Sequence, residues 1–176
     1  FNLESVTLPQ SMRRIGHYAF VDCHKLKSIN LDGDLEAIEG SVFSECFKLE
    51  NVTIPASVEY IDAFAFKNCR EFTKIIIPDG VTSIGFTAFA ACTNLEYLYI
   101  PASVTGIYDN FMDQTPFDGC DNLTIYCPEG SYAAEYAQTH GIRYVIDNTR
   151  KAVARPAKKT HHAATPMATT RETAPA

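Results

Sequence analysis

Hydrophobic residues recur along this chain with a period of 23 residues. Segments that begin with Leu or Phe at positions 3, 26, 49, 72 and 95 align without gaps and share one succession of apolar and polar positions. A constant step of this length is typical of a solenoid, in which each repeat forms one coil and buries its apolar side against the neighbouring coils. The pattern therefore predicts a stacked array whose coils are unstable alone.

Each repeat begins with the pattern of a short strand. In the first repeat, Val6 and Leu8 alternate with the polar Ser5 and Thr7, which is strand periodicity. The strand is followed by a proline, which cannot donate to a ladder and so ends it. This proline recurs as Pro9, Pro55, Pro78 and Pro101. Two further apolar positions, three residues apart, predict a second short extended piece on the opposite side of the coil: Met12/Ile15, Leu35/Ile38, Val58/Ile61, Val81/Ile84 and Val104/Ile107.

The last part of each repeat carries a small residue, a Phe and then a Cys. The pairs are Ala19-Phe20, Val42-Phe43, Ala65-Phe66 and Ala88-Phe89, each with a Cys three residues later. This spacing predicts one helical turn, with the Phe filling the wide part of the core. Stacked coils then place the Cys side chains in a ladder where they point the same way, which does not favour disulfides. No CxxC pair is present, so a structural zinc site is not indicated either. We expect free, buried thiols at Cys23, Cys46, Cys69, Cys92, Cys120 and Cys127.

The repeat, written LxxVxIPxSVxxIGxxAFxxCxxL, resembles the BspA-like (Treponema-type) leucine-rich repeat over about residues 1–127. The resemblance implies a leucine-rich-repeat solenoid, a right-handed coil of 23-residue repeats. It would have a parallel β-sheet face, short second extended segments and helical turns. The chain departs from the family pattern at Asp32, which replaces Pro, and at Glu39, Asp62 and Tyr108, which replace Gly.

The C-terminal end of the array has its own signals. The sixth repeat starts near Leu123, 28 residues after Leu95, so the fifth repeat contains a five-residue insertion within 108–117. Ser131 then predicts a helix N-cap and Gly141 its end, with a final strand over 142–146, a helical cap similar to the family's C-terminal repeat. One face of this helix is formed by Tyr132, Ala133, Tyr136 and Ala137. We therefore expect the solenoid to occupy residues 1–147.

Residues 148–176 have a different composition. They are rich in Ala, Thr and Pro and lack apolar periodicity, which predicts a disordered tail. They hold six basic residues and one acidic residue, a net charge of +5. Because the whole chain carries a net charge of −6, residues 1–147 carry −11. An acidic body does not favour nucleic acid or anionic membrane as a partner. The chain begins with Phe and almost inside a repeat, so we expect it to be part of a longer array.

The sequence contains no recognisable catalytic or cofactor motif. His17, His24 and His140 are scattered without matching carboxylates, and we interpret them as surface residues. We therefore expect no enzyme activity, no cofactor and no metal. The insertion region leaves calcium open beside a solvated loop, since hard oxygen ligands suit calcium but their spacing does not match an EF-hand. These residues are Asp109, Asn110, Asp113, Asp118 and Asp121.

The outward strand positions change character along the array. They are small and polar in the first three repeats and become larger and more hydrophobic toward the C-terminal end. They predict one amphipathic patch of Lys74, Ile76, Tyr97, Tyr99 and Tyr126, bordered by Phe111 and Met112 of the insertion. Exposed tyrosines are common anchors in protein recognition. β-Propensity alone also accounts for tyrosine on an exposed strand.

These observations favour a non-catalytic protein-binding module. The resemblance implies an extracellular or cell-surface protein involved in adhesion or host interaction, with an unidentified protein ligand. Two alternatives stay open: a structural stalk or spacer, and an accessory domain of a larger surface protein or enzyme. No apolar run approaches the roughly 20 residues that a membrane-spanning helix needs. The sequence leaves the oligomeric state undetermined.

Overall fold

A computed structural model describes residues 2–50, 52–110, 112 and 114–150. Most of the predicted tail therefore lies outside the described residues. Its first residues contact the body, because Asn148 accepts a hydrogen bond from the Glu129 backbone and Arg150 lies over the ring of Tyr99.

The described chain forms two sets of short parallel strands, one on each side of the coil. The strands and the single helix are β1 (Ser5–Thr7), β2 (Ser28–Asn30), β3 (Ala37–Ile38), β4 (Tyr60–Ile61), β5 (Lys74–Ile76), β6 (Ser83–Ile84), β7 (Tyr97–Tyr99), β8 (Gly106–Ile107), β9 (Thr124–Cys127), α1 (Tyr132–Thr139) and β10 (Tyr144–Ile146). One face carries the pair β1-β2 and a sheet of order β10-β9-β7-β5, and the other carries the order β3-β4-β6-β8. Both the parallel face and the second extended segments predicted from the sequence are confirmed.

The register in which neighbouring strands pair follows the repeat period of the sequence. Tyr60 pairs with Ser83 and Ile61 with Ile84, a step of one repeat. Across the insertion, Leu98 pairs with Ile125, so the extra residues leave the ladder intact. Each coil therefore presents equivalent residues to its neighbour, and a side chain's neighbours are found one repeat away in sequence.

A column of phenylalanine rings fills the interior. Phe43, Phe66 and Phe89 are fully buried, and neighbouring rings stack with centroids 5.5 and 5.4 Å apart. Phe20 and Phe117 extend the column at its two ends. Offset stacking of this kind adds to the gain from burial, so the column stabilises the coils mainly through contacts between neighbours.

The segment that carries each Phe does not continue as a helix. The Cys69 N–H donates to the carbonyl of Phe66 within its own coil, but the Phe66 N–H donates to Ala88 in the next coil, at 2.8 Å. Successive backbone N–H groups therefore donate alternately to a carbonyl within the turn and to a carbonyl of the neighbouring coil. This geometry places Phe64 and Asn68 in the left-handed region, with φ of 58° and 61°. The predicted helical turn is therefore a tight turn with bonds between coils, and the equivalent residues of the first, second and fourth coils share it.

The six cysteines are free and buried, as predicted. The predicted ladder also carries hydrogen bonds between coils, which the sequence did not reveal. The Cys69 thiol donates to the carbonyl of Phe43 at 3.3 Å, and Cys92 makes the same bond to Phe66 at 3.2 Å. Burial raises the pKa of Cys46 to about 12 and holds that of Cys69 well above its ordinary value.

We expect these thiols to be unreactive in the folded protein. A thiolate is the reacting species, and burial both disfavours it and blocks access. An aromatic disulfide reagent at about pH 8 should label the native chain only as fast as it unfolds, and all six thiols at once in denaturant. Rapid labelling of the native chain would contradict this expectation.

The C-terminal helix begins where the sequence places it. Ser131 is the N-cap, and its side chain accepts from the backbone N–H of Ala134. Ala133, Tyr136 and Ala137 are buried, whereas Tyr132 is largely exposed. The chain then returns as β10, parallel to β9, so that the helix covers the end of the core.

Candidate protein-binding surface

Four of the predicted patch residues lie on adjacent strands of one sheet. Lys74 and Ile76 belong to β5, Tyr97 to β7 and Tyr126 to β9. We call this group the aromatic face. In β5 the central Ile75 side chain points into the core, and the flanking Lys74 and Ile76 side chains point outward.

Contacts within the aromatic face hold its side chains in place. The rings of Tyr97 and Tyr126 stack with centroids 4.2 Å apart. The Lys74 ammonium lies 4.7 Å from the centre of the Tyr97 ring, within the range of a cation–π contact. Ile76 is 38% exposed. A partner that binds here meets side chains already ordered, which lowers the entropic cost of binding.

Tyr99 does not belong to the exposed surface. The sequence predicts it as part of the patch, but it is only 5% exposed because the Arg150 guanidinium covers its ring at 5.0 Å. Burial, and next the nearby Asp79 and Asp147 carboxylates, raise the pKa of its hydroxyl. The prediction that Tyr99 is an exposed anchor was therefore wrong, because the chain after β10 returns across the sheet.

A shallow groove continues the aromatic face toward the N-terminal side. It has a volume of about 330 Å³ and is lined by Val52, Thr53, Ile54, Lys74, Ile76 and Pro78. Residues 52–54 are not in a strand, unlike the equivalent residues of the flanking repeats. This opening could not be predicted, because repeat three keeps the consensus residues there.

The insertion follows β8, which belongs to the other sheet. Its Met112 is 66% exposed, and the predicted place of Met112 beside the aromatic face stays a prediction. The Asn110 side chain ties the loop together by accepting from the backbone N–H groups of Met112 and Gln114. Phe111 and Asp113 lie outside the described residues, so the predicted role of Phe111 stays a prediction.

Comparison with known families settles the kind of repeat. The family model for a BspA type leucine rich repeat region matches residues 1–124 in six copies. The chain belongs to the BspA-type leucine-rich repeat family. The fold class and the family suggested by the sequence are therefore both confirmed. Repeats of this family are often found in surface proteins and serve as protein-interaction modules.

Solved structures agree with this assignment. A leucine-rich repeat protein from Bacteroides ovatus is 36% identical over 70% of this chain, with a TM-score of 0.63. A leucine rich cell surface protein from Faecalibacterium prausnitzii is 29% identical over 76% of the chain, with a TM-score of 0.66. The matches span 31% and 34% of those two proteins, about a third of each. The leucine-rich repeat protein of T. pallidum, at 23% identity and a TM-score of 0.65, shares the fold; the match covers 72% of this chain and 59% of that one. No curated protein sequence matches the chain.

Three side chains of metal-ligand type meet where the BspA-type repeat usually has glycine. Glu39 and Asp62 occupy the same position of successive coils, and His17 reaches them from the coil before. Their ligand-type atoms lie within 4.8 Å of one another. The expectation that His17 lacks a carboxylate partner was wrong, because stacking rather than sequence proximity supplies the partners.

Hydrogen bonds already occupy the atoms of this cluster. The Gly40 N–H donates to Nδ1 of His17 at 3.0 Å, which places the proton of the neutral ring on Nε2, 3.5 Å from Oε2 of Glu39. Arg14 donates to Oε1 of Glu39 at 3.1 Å. These contacts compensate the burial of a carboxylate that is 5% exposed. A metal at either ring nitrogen would displace one of these bonds, so we interpret the cluster as a structural polar network.

The carboxylates around the insertion also bind protein groups. Asp109 accepts from the Tyr136 hydroxyl and lies 3.0 Å from Nε2 of His140. Asp118 accepts from the backbone and hydroxyl of Thr115, at 3.1 and 2.8 Å. These contacts fasten the loop to the cap helix and to the following turn.

Among the described residues, no helix is long and apolar enough to cross a membrane.

Proposed function

We propose that this BspA-type array is a non-catalytic protein-binding module of a cell-surface protein, with a role in adhesion or host interaction. The aromatic face supports the proposal most directly. It is the part of the sheet where outward positions carry stacked aromatic rings and a cation instead of small polar side chains.

Charge and shape favour a protein as the ligand. Tyrosine supplies large contact area with few rotatable bonds, and a Tyr pair beside an apolar groove gives the buried centre that protein interfaces need. Lys74 supplies a cation at the rim on an otherwise acidic body. A cell-surface location is supported by the F. prausnitzii relative, which is described as a cell surface protein.

The test compares matched variants in binding to immobilised fibronectin, laminin and collagen. We expect the parent chain to bind at least one of these probes. Tyr97→Ala combined with Tyr126→Ala should weaken that binding by about 30-fold or more, since the loss of an anchor costs about 2 kcal/mol and the effects of two stacked rings are not additive. Ser28→Ala, at the corresponding outward position of β2, should leave binding unchanged.

Two outcomes would count against this proposal. Binding of the double tyrosine variant as tight as that of the parent would remove the aromatic face from the interface. Binding of the parent to none of the probes would favour the alternative of a stalk or spacer within a longer protein. Thermal unfolding of each variant distinguishes a lost contact from a lost fold.

A further inference from the structure

Strand β10 has an open edge that presents adjacent hydrophobic side chains. It ends the sheet of order β10-β9-β7-β5, and no other described strand pairs with it on its outer side. Tyr144, Val145 and Ile146 are 38%, 44% and 42% exposed. An edge strand of this kind is a template for pairing with another chain.

The backbone groups of this edge alternate in direction. Ile125 donates to the carbonyl of Arg143 and Asp147 donates to the carbonyl of Cys127, so the odd-numbered residues of the strand bond to β9. In an extended strand, the N–H and C=O of the next residue point to the opposite side. Within the described part of the chain, the backbone groups of this edge that lack a partner are therefore those of Tyr144 and Ile146.

The sequence of this strand is complementary to itself. In an antiparallel pair of two copies centred on Val145, Arg143 faces Asp147 of the second copy and Tyr144 faces its Ile146. Each copy then supplies one cation and one anion to two cross-strand ion pairs, and the two Val145 side chains meet at the centre. Tyr144 and Ile146, whose backbone groups are free, form the hydrogen-bonded pairs that an antiparallel ladder requires.

Other antiparallel registers of two β10 strands do not place Arg143 opposite Asp147. Hydrogen bonding restricts the pairing to registers that place even-numbered residues opposite each other. Shifting by two residues sets Arg143 against Val145 in one direction, and against Thr149 in the other. The charged residues pair only when Val145 lies on the two-fold axis. Opposite charges and apolar pairs across strands are each stabilising, and like charges are not.

Local contacts of the two charged residues are compatible with the pairing. Arg143 donates to the backbone carbonyl of Asp121 at 3.0 Å. A guanidinium has five N–H groups, so it can keep this bond and also donate to a carboxylate. Asp147 accepts from Thr149 through Oδ1 at 3.0 Å, and its Oδ2 lies 4.0 Å from Nε of Arg150. The second oxygen can therefore turn to a closer guanidinium.

We propose that two copies of this chain associate through β10, in antiparallel register about Val145, to form a two-fold symmetric dimer with one continuous sheet. A symmetric pairing of this type is closed and does not propagate into fibres. The strands are short, so the association is weak, with a dissociation constant expected at about 100 μM.

The test measures the mass of the full-length chain by sedimentation from about 10 μM to about 1 mM, the range of a weak dimer. We expect the parent to shift from monomer to dimer. Arg143→Asp and Asp147→Arg, made singly, place like charges opposite each other and should each raise the dissociation constant by about tenfold or more. The two changes combined exchange the charges and should restore the dimer.

Hydrogen exchange gives a second readout at the backbone. The Tyr144 and Ile146 amides should become protected as concentration rises, whereas the Asp147 amide, bonded to β9, should be protected throughout. A parent chain that stays monomeric would overturn the proposal. So would a dimer that is insensitive to both single changes, or one that forms only when residues 151–176 are removed, since the chain's own C-terminal segment would then occupy the edge.

Discussion

Replacing Phe66 by alanine is expected to lower the free energy of unfolding by about 3–5 kcal/mol. The ring is fully buried and lies between Phe43 and Phe89, and Phe72 packs against it at 5.6 Å. The side chains around the resulting cavity cannot collapse into it freely. Their backbones are fixed by bonds between coils, including Phe43 to Ala65 at 2.9 Å.

Chemical denaturation of the variant measures this loss, and two controls separate its causes. Phe66→Leu keeps most of the volume and should cost less than half as much as alanine. Tyr18→Ala removes an aromatic ring that is 64% exposed, at a position outside the column, and should change stability by less than about 0.5 kcal/mol. Equal losses for Phe66→Ala and Tyr18→Ala would mean that the column does not carry the stability of the array.

The reason for the large expected effect is the one-dimensional organisation of the fold. Each coil contacts only its neighbours, and stability is a sum of repeat and interface contributions. A cavity at Phe66 weakens two interfaces at once, the one with Phe43 and the one with Phe89. The aromatic face, in contrast, lies outside these interfaces, with Lys74 and Ile76 exposed and Tyr97 and Tyr126 half-buried.

The sequence predicts those parts of the molecule that repeat. The strand alternation and the Cys position recur in five repeats and the Pro position in four, so each prediction is supported by several independent copies. The cap was predictable for another reason, since Ser131 and Gly141 are strong local signals at the two ends of a short helix. Five of the buried thiols followed from their shared position in the repeat, and that of Cys127 from its strand position in the last repeat.

The first left-handed position of each turn could not be predicted because its residues give no signal. Tyr18, Ser41, Phe64 and Thr87 all adopt positive φ, yet none is a glycine or asparagine. Bonds between coils stabilise this conformation against its local cost, and such bonds are visible only after the coils are stacked. The sequence of a single repeat, considered alone, favours a helical turn at this position.

The candidate surface was predictable in part. Outward-pointing side chains follow from strand periodicity, and this places Lys74, Ile76, Tyr97 and Tyr126 correctly on one face. The burial of Tyr99 depends on Arg150, which lies beyond the last strand and outside any repeat. No pattern within the array contains that information.

The polar network has a signal in the sequence, which is visible only when the repeats are aligned. His17, Glu39 and Asp62 are far apart in sequence, and a search for local motifs does not connect them. Writing the repeats under one another places Glu39 and Asp62 in one column and His17 one position further along, in the coil before. In a solenoid, a search for functional clusters should therefore follow the columns of the repeat alignment as well as the chain.

Two glycines in the same column of the repeat alignment, Gly16 and Gly85, differ in the space around them. Gly16 and Gly85 hold the same position of the first and fourth repeats, where the BspA-type repeat usually has glycine. A Cβ on Gly85 would lie 2.5 Å from the Ala63 nitrogen and 2.7 Å from the carbonyl carbon of Asp62. A Cβ on Gly16 would meet no atom within 4 Å. Neither glycine has positive φ, so the backbone itself accepts alanine at both positions.

We expect Gly85→Ala to lower the free energy of unfolding by about 1–3 kcal/mol or more, because rigid backbone of the preceding coil must move away. Gly16→Ala should leave stability unchanged or raise it by up to about 1 kcal/mol, since alanine restricts the unfolded chain. Denaturation midpoints of the two variants, measured side by side, check the difference. Similar losses at both positions would show that glycine is required there by the backbone of the repeat, whereas a loss at Gly85 alone identifies the close approach of one pair of coils as the cause.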